Sequence, residues 1–263
     1  MTQPLSSTLG QEELVFLLRL LNARPMPGLG GDPLADLTYQ ERALVLATAE
    51  HSLRARGLLQ VGEGGKPRVD AGVVALVGGC SVPDVSFLVT CHTDGGEEEA
   101  RYYHLHRASR LLVEHTFPQP GVHRFTALRD QDELAARIAE VLRLEDQSSP
   151  SCPAGRLRQD ALVQAQESGE GISEIQAFLT ENGLPQVTAG EMAQTLLRPL
   201  VNGSLTKFVH ETDQVQGFAT LEGPNGLWLL TPEGTDDTPW TSVEPMSARE
   251  VRRRIAALCE EPF

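Results

Sequence analysis

The chain has 263 residues, 40% of them hydrophobic, and carries 22 basic against 36 acidic side chains, a net charge of -14 at neutral pH. That is enough apolar material for one large core or two modest ones. A surface this acidic repels nucleic acid and anionic membranes unless a local patch overrides it, so neither is an expected partner.

The opening stretch MTQPLSSTLGQEELVFLLRLLNARP holds an apolar segment too short to span a bilayer, with acids where a leader would carry bases and no small-residue cleavage site. It reads as a first helix over residues 11–22, with Leu14, Leu17, Leu18 and Leu21 at helical spacing and a Pro/Gly-rich loop after it. Thr38, with Glu41 three residues on, caps a second helix that Gly57 closes. The segment VGEGGKPR, Val61 to Arg68, is a hairpin or loose loop. Asp70 starts a short third helix. From Val85 the period becomes strand-like: VSFLVTCH, ARYYHLHR, RLLVEHTF and HRFTAL are separated by turn-like DGGEEE, AS and PQPG, as an antiparallel meander requires. The stretch DQDELAARIAEVLRL then makes a helix.

After the polar, proline-containing linker EDQSSPSCPAG (145–155) the plan recurs. Helices are expected through ALVQAQ, ISEIQAFLTENG and GEMAQTLLRPL, strands at SLTKFVHE, QGFATLEG, LWLLTP and WTSVEPM, and a last helix in SAREVRRRIAALCE, capped by Ser247 with Glu250. Local wording recurs too. With Val61 to Arg68 lifted out, GLLQVGEGGKPRVDAG becomes GLLQVDAG, against GLPQVTAG from Gly183. Val69 to Arg137 spans almost the same distance as Val187 to Arg254. A repeat with preserved spacing points to a repeated structural unit. The expected fold is therefore α+β: an internally duplicated helix–meander–helix unit, pseudo-two-fold, with a central antiparallel sheet flanked by helices, divided into residues 1–146 and 147–263.

The densest candidate chemistry is His92, His104, His106, His115 and His123 in one meander. His104 and His106 share a strand face, and with Glu114 or Asp94 they could seed a zinc site, which needs three or four converging ligands. Read as ordinary sheet residues, they alternate with Tyr103, Leu105 and Val113 and point to solvent. The corresponding strands QGFATLEG and LWLLTP of the second half hold no histidine, so no metal, cofactor or catalytic set is assigned. No GxSxG, P-loop or GxGxxG motif is present. Glu97, Glu98 and Glu99 form an acidic run at a hairpin tip, a solvated turn or a docking point for a basic partner. Arg252, Arg253 and Arg254 spread around the last helix and read as a salt-bridged surface. Trp228 belongs in the core, and Trp240 is a candidate interface anchor. Cys80, Cys91, Cys152 and Cys259 are scattered without a CxxC pair, as reduced thiols of a cytoplasmic protein would be.

HSLRARGLLQV, followed by GKPRVDAGVVALVGGCSVPDVSFLV, resembles the EspG-like family of type VII (ESX) secretion-associated chaperones. The resemblance implies a quasi-two-fold α+β architecture and a cytosolic adaptor that keeps helical export substrates of the PE–PPE type soluble. Two other readings stand beside it. SLRARGLL with its glycine-rich insert could be a winged helix, although DAGVVALVGG has no basic residue for a recognition helix. The histidine-rich meander could serve a metal-dependent enzyme. A non-enzymatic, cytoplasmic protein-binding adaptor or chaperone is the expectation carried forward, with Glu97, Glu98, Glu99 and Trp240 as candidate partner-binding residues.

Overall fold

The computed structural model describes residues 4–96, 98–145, 149–167, 171–234 and 240–260, without the side chain of Gln166. The first series of elements is β1 (Ser6–Gly10), α1 (Gln11–Leu20), α2 (Tyr39–Ala55), the hairpin β2 (Leu59–Val61) and β3 (Pro67–Val69), α3 (Ala71–Ser81), β4 (Val85–Thr93), β5 (Glu99–His106), β6 (Leu111–Gln119), β7 (Val122–Leu128) and α4 (Gln131–Val141). The second is β8 (Gly155–Arg158), α5 (Gln159–Glu167), α6 (Ile172–Glu181), α7 (Gln186–Leu197), β9 (Val201–Val209), β10 (Gln214–Gly223), β11 (Gly226–Glu233), β12 (Trp240–Met246) and α8 (Ala248–Glu260).

Helix starts follow the side chains available to cap them. The Thr38 hydroxyl accepts from the Glu41 N–H at 3.3 Å, and the Glu41 carboxylate accepts from the Thr38 N–H at 2.8 Å. Ser247 and Glu250 do the same at α8, at 3.4 and 2.8 Å. At α3 the Asp70 carboxylate accepts from the N–H groups of Gly72 and Val73. After α2 the chain turns through Gly57 at φ +72°, a conformation that a side chain would strain.

Ten strands form one antiparallel sheet in the order β1-β7-β6-β5-β4-β9-β10-β11-β12-β8, and β2–β3 forms a separate two-stranded sheet. The α+β class therefore holds. Each four-strand meander runs toward an edge, and the short strand that opens each series closes outside its last strand: β1 on β7, β8 on β12. Apart from β2–β3, the two series match in element order. Each edge strand has a neighbour against its main chain on the outer side. Arg56 donates to the Thr8 carbonyl on β1. On β8 the turn after α6 lies so close that a Cβ on Gly183 would sit 2.9 Å from the Arg156 carbonyl oxygen.

Two compact units can be separated, residues 1–87, 101–130 and 208–214 in the first, residues 88–100, 131–207 and 215–263 in the second. The first unit's core gathers Leu14, Leu17 and Leu18 of α1, Leu53 of α2, Val73, Leu76 and Val77 of α3, and Leu9, Val113 and Phe125 of the sheet. The second unit's core places Ile175 and Leu179 of α6 and Met192 and Leu196 of α7 against Leu157, Leu221, Trp228 and Val243. Within this unit α4 packs against α8.

The sheet of the first unit departs from expectation. Register sets Tyr102 opposite His115, and His115 opposite Phe125, so these histidines share the core face rather than a solvent face. His104, His115 and His123 are 1%, 0% and 3% exposed. The alternate positions Tyr103, Leu105, Leu112 and Leu128 are buried as well. With both faces covered, period-2 alternation no longer separates wet from dry residues, which is why the solvent-side expectation fails.

Candidate functional site

In the second unit, α5, β9–β12 and α8 surround a cleft of about 780 Å³. Leu162 and Val163 of α5, Val215 and Phe218 of β10, Leu230 and Pro232 of β11, and Ala257 and Leu258 of α8 give it a largely apolar wall. Ser204, Thr206, Thr231 and Thr241 add hydroxyls, Gln159 an amide and Arg254 a guanidinium. Val163 and Val215 are 49% and 62% exposed, large apolar side chains left on the surface beside the opening. The strands forming the floor approach unusually closely. A Cβ on Gly217 would lie 2.3 Å from the Leu205 carbonyl oxygen, so only glycine fits there.

This lining offers shape and apolar contact, not reaction chemistry. Its described residues include no carboxylate, imidazole or thiol to move a proton or attack a bond. Two of the thiols elsewhere, Cys80 and Cys259, are held protonated by burial. Burial raises Cys80 far above its ordinary range and pushes Cys259 up to about 12, so neither is a thiolate near neutrality. Among the described residues no group of three or more His, Cys, Asp or Glu side chains is placed to hold an ion.

The sequence-derived candidates are dispersed. Glu97 lies outside the described residues, Glu98 is exposed, and Glu99 begins β5 and is partly buried. Trp240 begins β12 beside the cleft residue Thr241, is 37% exposed, and carries the Arg156 guanidinium 5.6 Å over its ring, with Arg156 in turn 2.6 Å from Glu233. Four strands separate β5 from β12 in the sheet, so the acidic turn and the tryptophan do not form one site. The arginine run is also distributed differently from expectation. Arg252 donates to the Leu144 carbonyl and Arg254 lines the cleft, while Val251, Ile255 and Cys259 take the buried face of α8.

The cleft itself was not singled out from sequence. Its residues come from six elements spread over residues 159–258, and the available local signal was weak: a valine at a position of α5 that faces away from buried Ala161 and Ala165.

Among the described residues, no helix is long and apolar enough to cross a membrane. The chain is similar in fold to the type VII secretion system chaperone EspG5 of Mycobacterium tuberculosis, whose structure was solved in complex with a PE25–PPE41 dimer. The TM-score is 0.66 at 15% sequence identity, covering 95% of this chain and 94% of that one. No curated protein matches. The EspG family profile matches residues 11–257, nearly the whole chain, and with the α+β fold already described it places the protein: the chain belongs to the EspG family of non-enzymatic secretion chaperones.

Proposed function

We propose that this EspG-family protein is a cytoplasmic adaptor that keeps a helical export partner of the PE–PPE type soluble, and that the cleft between α5, β9–β12 and α8 receives an apolar part of that partner. The observation that carries the site assignment is the combination of a deep apolar wall with exposed Val163 and Val215 at its opening. Surface apolar area gathered around a concavity, rather than scattered singly, is what a protein-binding site needs. A helix presents such a site with anchors at i, i+3, i+4 and i+7. Hydroxyls along the wall can pair with polar groups at a helix end, and Arg254 at the rim suits the carbonyl end of its dipole.

Trp240, Glu98 and Glu99, with Glu97, are proposed only as peripheral contacts. The matching order of elements supports reading residues 1–146 and 147–263 as two copies of one α+β unit. Co-expression with a PE–PPE pair, followed by affinity capture, tests the reading. Val163→Asp and Val215→Asp should each reduce recovery of the pair while leaving the melting temperature within a few degrees, because both side chains are exposed. Full recovery with both variants would remove the cleft from the binding surface.

A further inference from the structure

Four adjacent strands of the first unit place Ser86, His104, His115 and His123 side by side. The Ser86 hydroxyl lies 3.1 Å from His104 Nδ1 and 2.9 Å from His210 Nε2. His115 Nε2 lies 2.9 Å from His123 Nδ1. The rings of His104 and His115 face one another with centroids 5.9 Å apart. His104 Nε2 and His115 Nδ1 have no hydrogen-bond partner among the described residues.

The hydrogen count of this chain fits neutral rings only. A neutral imidazole has one N–H and one lone pair, so the His115–His123 bond holds one donor and one acceptor. If His123 carries protons on both nitrogens, His115 must accept at Nε2, and its own proton moves to the unpartnered Nδ1. If His115 is doubly protonated, Nδ1 again becomes a buried N–H without an acceptor. His104 behaves likewise: doubly protonated, it donates to Ser86 and leaves Nε2–H unpaired. Each added proton thus buries a charge and an unsatisfied donor.

Among the described residues, no carboxylate is hydrogen-bonded to these rings to offset that cost. The helix α3, which packs on β6 and β7, has no charged residue, and neither has β1. On α1, Glu13 is engaged by Ser52, Arg56 and the Gly10 N–H, and Arg19 pairs with Asp32 of the following loop. Glu114 is taken by Arg101 and Tyr103. Near His210, Asp84 accepts the Arg107 N–H and Arg107 lies 3.9 Å from Glu211. Burial lowers His104 to about 3, with His210 adding to the effect. Burial also lowers His115, helped by His104 and His123, and lowers His123.

We propose that this buried histidine chain is a proton-sensitive latch of the first unit, closed while the rings are neutral and opened by acidification. The element it releases is the loop through Met26, Leu29 and Leu34, whose side chains are buried in the same core. At Gly28 this loop rests on the rings, where an added Cβ would come within 2.8 Å of Tyr102 and 3.2 Å of Phe117. Tyr102 stacks on His104, and Phe117 lies 4.7 Å from His115. The sign follows from linkage. Folded values lie below the ordinary 6.5, so the opened state binds more protons, and the stabilisation present above that pH is lost as pH falls below it.

Amide hydrogen exchange of the full chain at pH 7.5 and 5.0, corrected for the intrinsic exchange rate, tests this. Each histidine that must charge on opening raises the opening constant about tenfold per pH unit below its unfolded value. Protection in β5–β7 and in residues 26–34 should therefore fall on acidification, ahead of β10–β12. His115→Phe with His123→Phe should flatten that response, and substitution of exposed His51 and His92 by Gln should not. Should the double variant fail to fold, nitrogen-15 NMR titration of the wild-type imidazoles decides instead. Rings that stay neutral until local protection falls support the latch. Uniform loss of protection, an unchanged response in the double variant, or titration near 6.5 with the fold intact overturns it.

Discussion

His104 sits one turn of the strand pleat from His106, on the same strand and the same face, yet the first is bonded to Ser86 in the core while the second is bonded to Ser109, 2.9 Å away, at the sheet's end. The two imidazoles of the HxH pair therefore have different work to do. His104→Ala leaves the Ser86 hydroxyl with His210 as its one remaining imidazole partner and opens a buried void, and should cost about 2–4 kcal/mol. His106→Ala should cost less than about 1 kcal/mol. Urea denaturation of the two single variants at pH 7.5 would show the separation, and equal losses would mean that the strand end, not the core, sets the value of both.

Glu13 gives a second, lower acid window. Burial pushes its carboxyl up, but hydrogen bonds from Ser52, the Gly10 N–H and Arg56 outweigh burial and leave it below the ordinary 4.5. A depressed carboxylate contributes stability that is present above its unfolded value and lost as pH falls through its folded one. Glu13→Ala should cost about 1–3 kcal/mol at pH 7, since three donors lose an acceptor together. The difference from wild type should shrink as pH falls below the ordinary 4.5 and through the lowered folded value, where the native carboxylate becomes protonated. A stability profile measured from pH 8 to pH 3 separates this loss from the histidine loss, which begins near pH 6.5.

Much of the fold could be read from the sequence because its signals were local. The Thr38–Glu41 and Ser247–Glu250 boxes, Asp70 before α3, and the four-strand runs at residues 85–128 all announced elements that the structure contains. The strands β1 and β8 were missed for a physical reason. SSTLG and GRLR are short and carry little β-branched or aromatic character, and they are strands because they dock on β7 and β12. The same limit hid the burial of His104, His115 and His123. A polar residue in a strand reads as solvent-facing unless its serine and histidine partners are visible, and those partners come from residues 86, 115, 123 and 210.

Among the described residues, the hairpin β2–β3 of the first series has no counterpart in the element order of the second. Val61 is 66% exposed, the Glu63–Gly65 turn contains no buried residue, and Leu59 and Val69, which do pack inward, face each other across the strand pair. Deleting residues 61–68 should therefore leave Leu59 and Val69 in place and change stability by less than about 1 kcal/mol, because loop length enters closure entropy only logarithmically. Thermal unfolding followed by circular dichroism would check it. A collapse of the transition would mean that the hairpin braces α2 and α3.

Inside the second unit, Trp228 is fully buried and its indole N–H donates to the Thr195 hydroxyl at 3.2 Å. Thr195 also presses on Gly223, where a Cβ would come within 2.6 Å of its side chain. Thr195→Val keeps the shape and removes the acceptor. The stranded N–H should cost about 1–3 kcal/mol, and Trp228→Phe in the Thr195→Val background should recover part of that loss by removing the donor. Additive losses in this double-variant cycle would show that the bond contributes nothing.

Gly217 ties the fold of the second unit to the proposed binding cleft. Its backbone passes so close to β9 that an alanine Cβ would lie 2.3 Å from the Leu205 carbonyl oxygen and 3.1 Å from the Thr206 Cα, atoms of the main chain that cannot rotate away. Gly217→Ala must push β9 and β10 apart locally, at a cost of about 1–3 kcal/mol. Both sides of that gap line the cleft, Ser204 and Thr206 from β9 and Gly217 and Phe218 from β10. The substitution should therefore weaken capture of a PE–PPE partner more than its loss of stability accounts for. Gly31→Ala is the control, because a Cβ there meets nothing within 4 Å. Binding measured at a temperature where every variant remains folded gives the comparison, and undiminished capture by Gly217→Ala would place the partner elsewhere on the molecule.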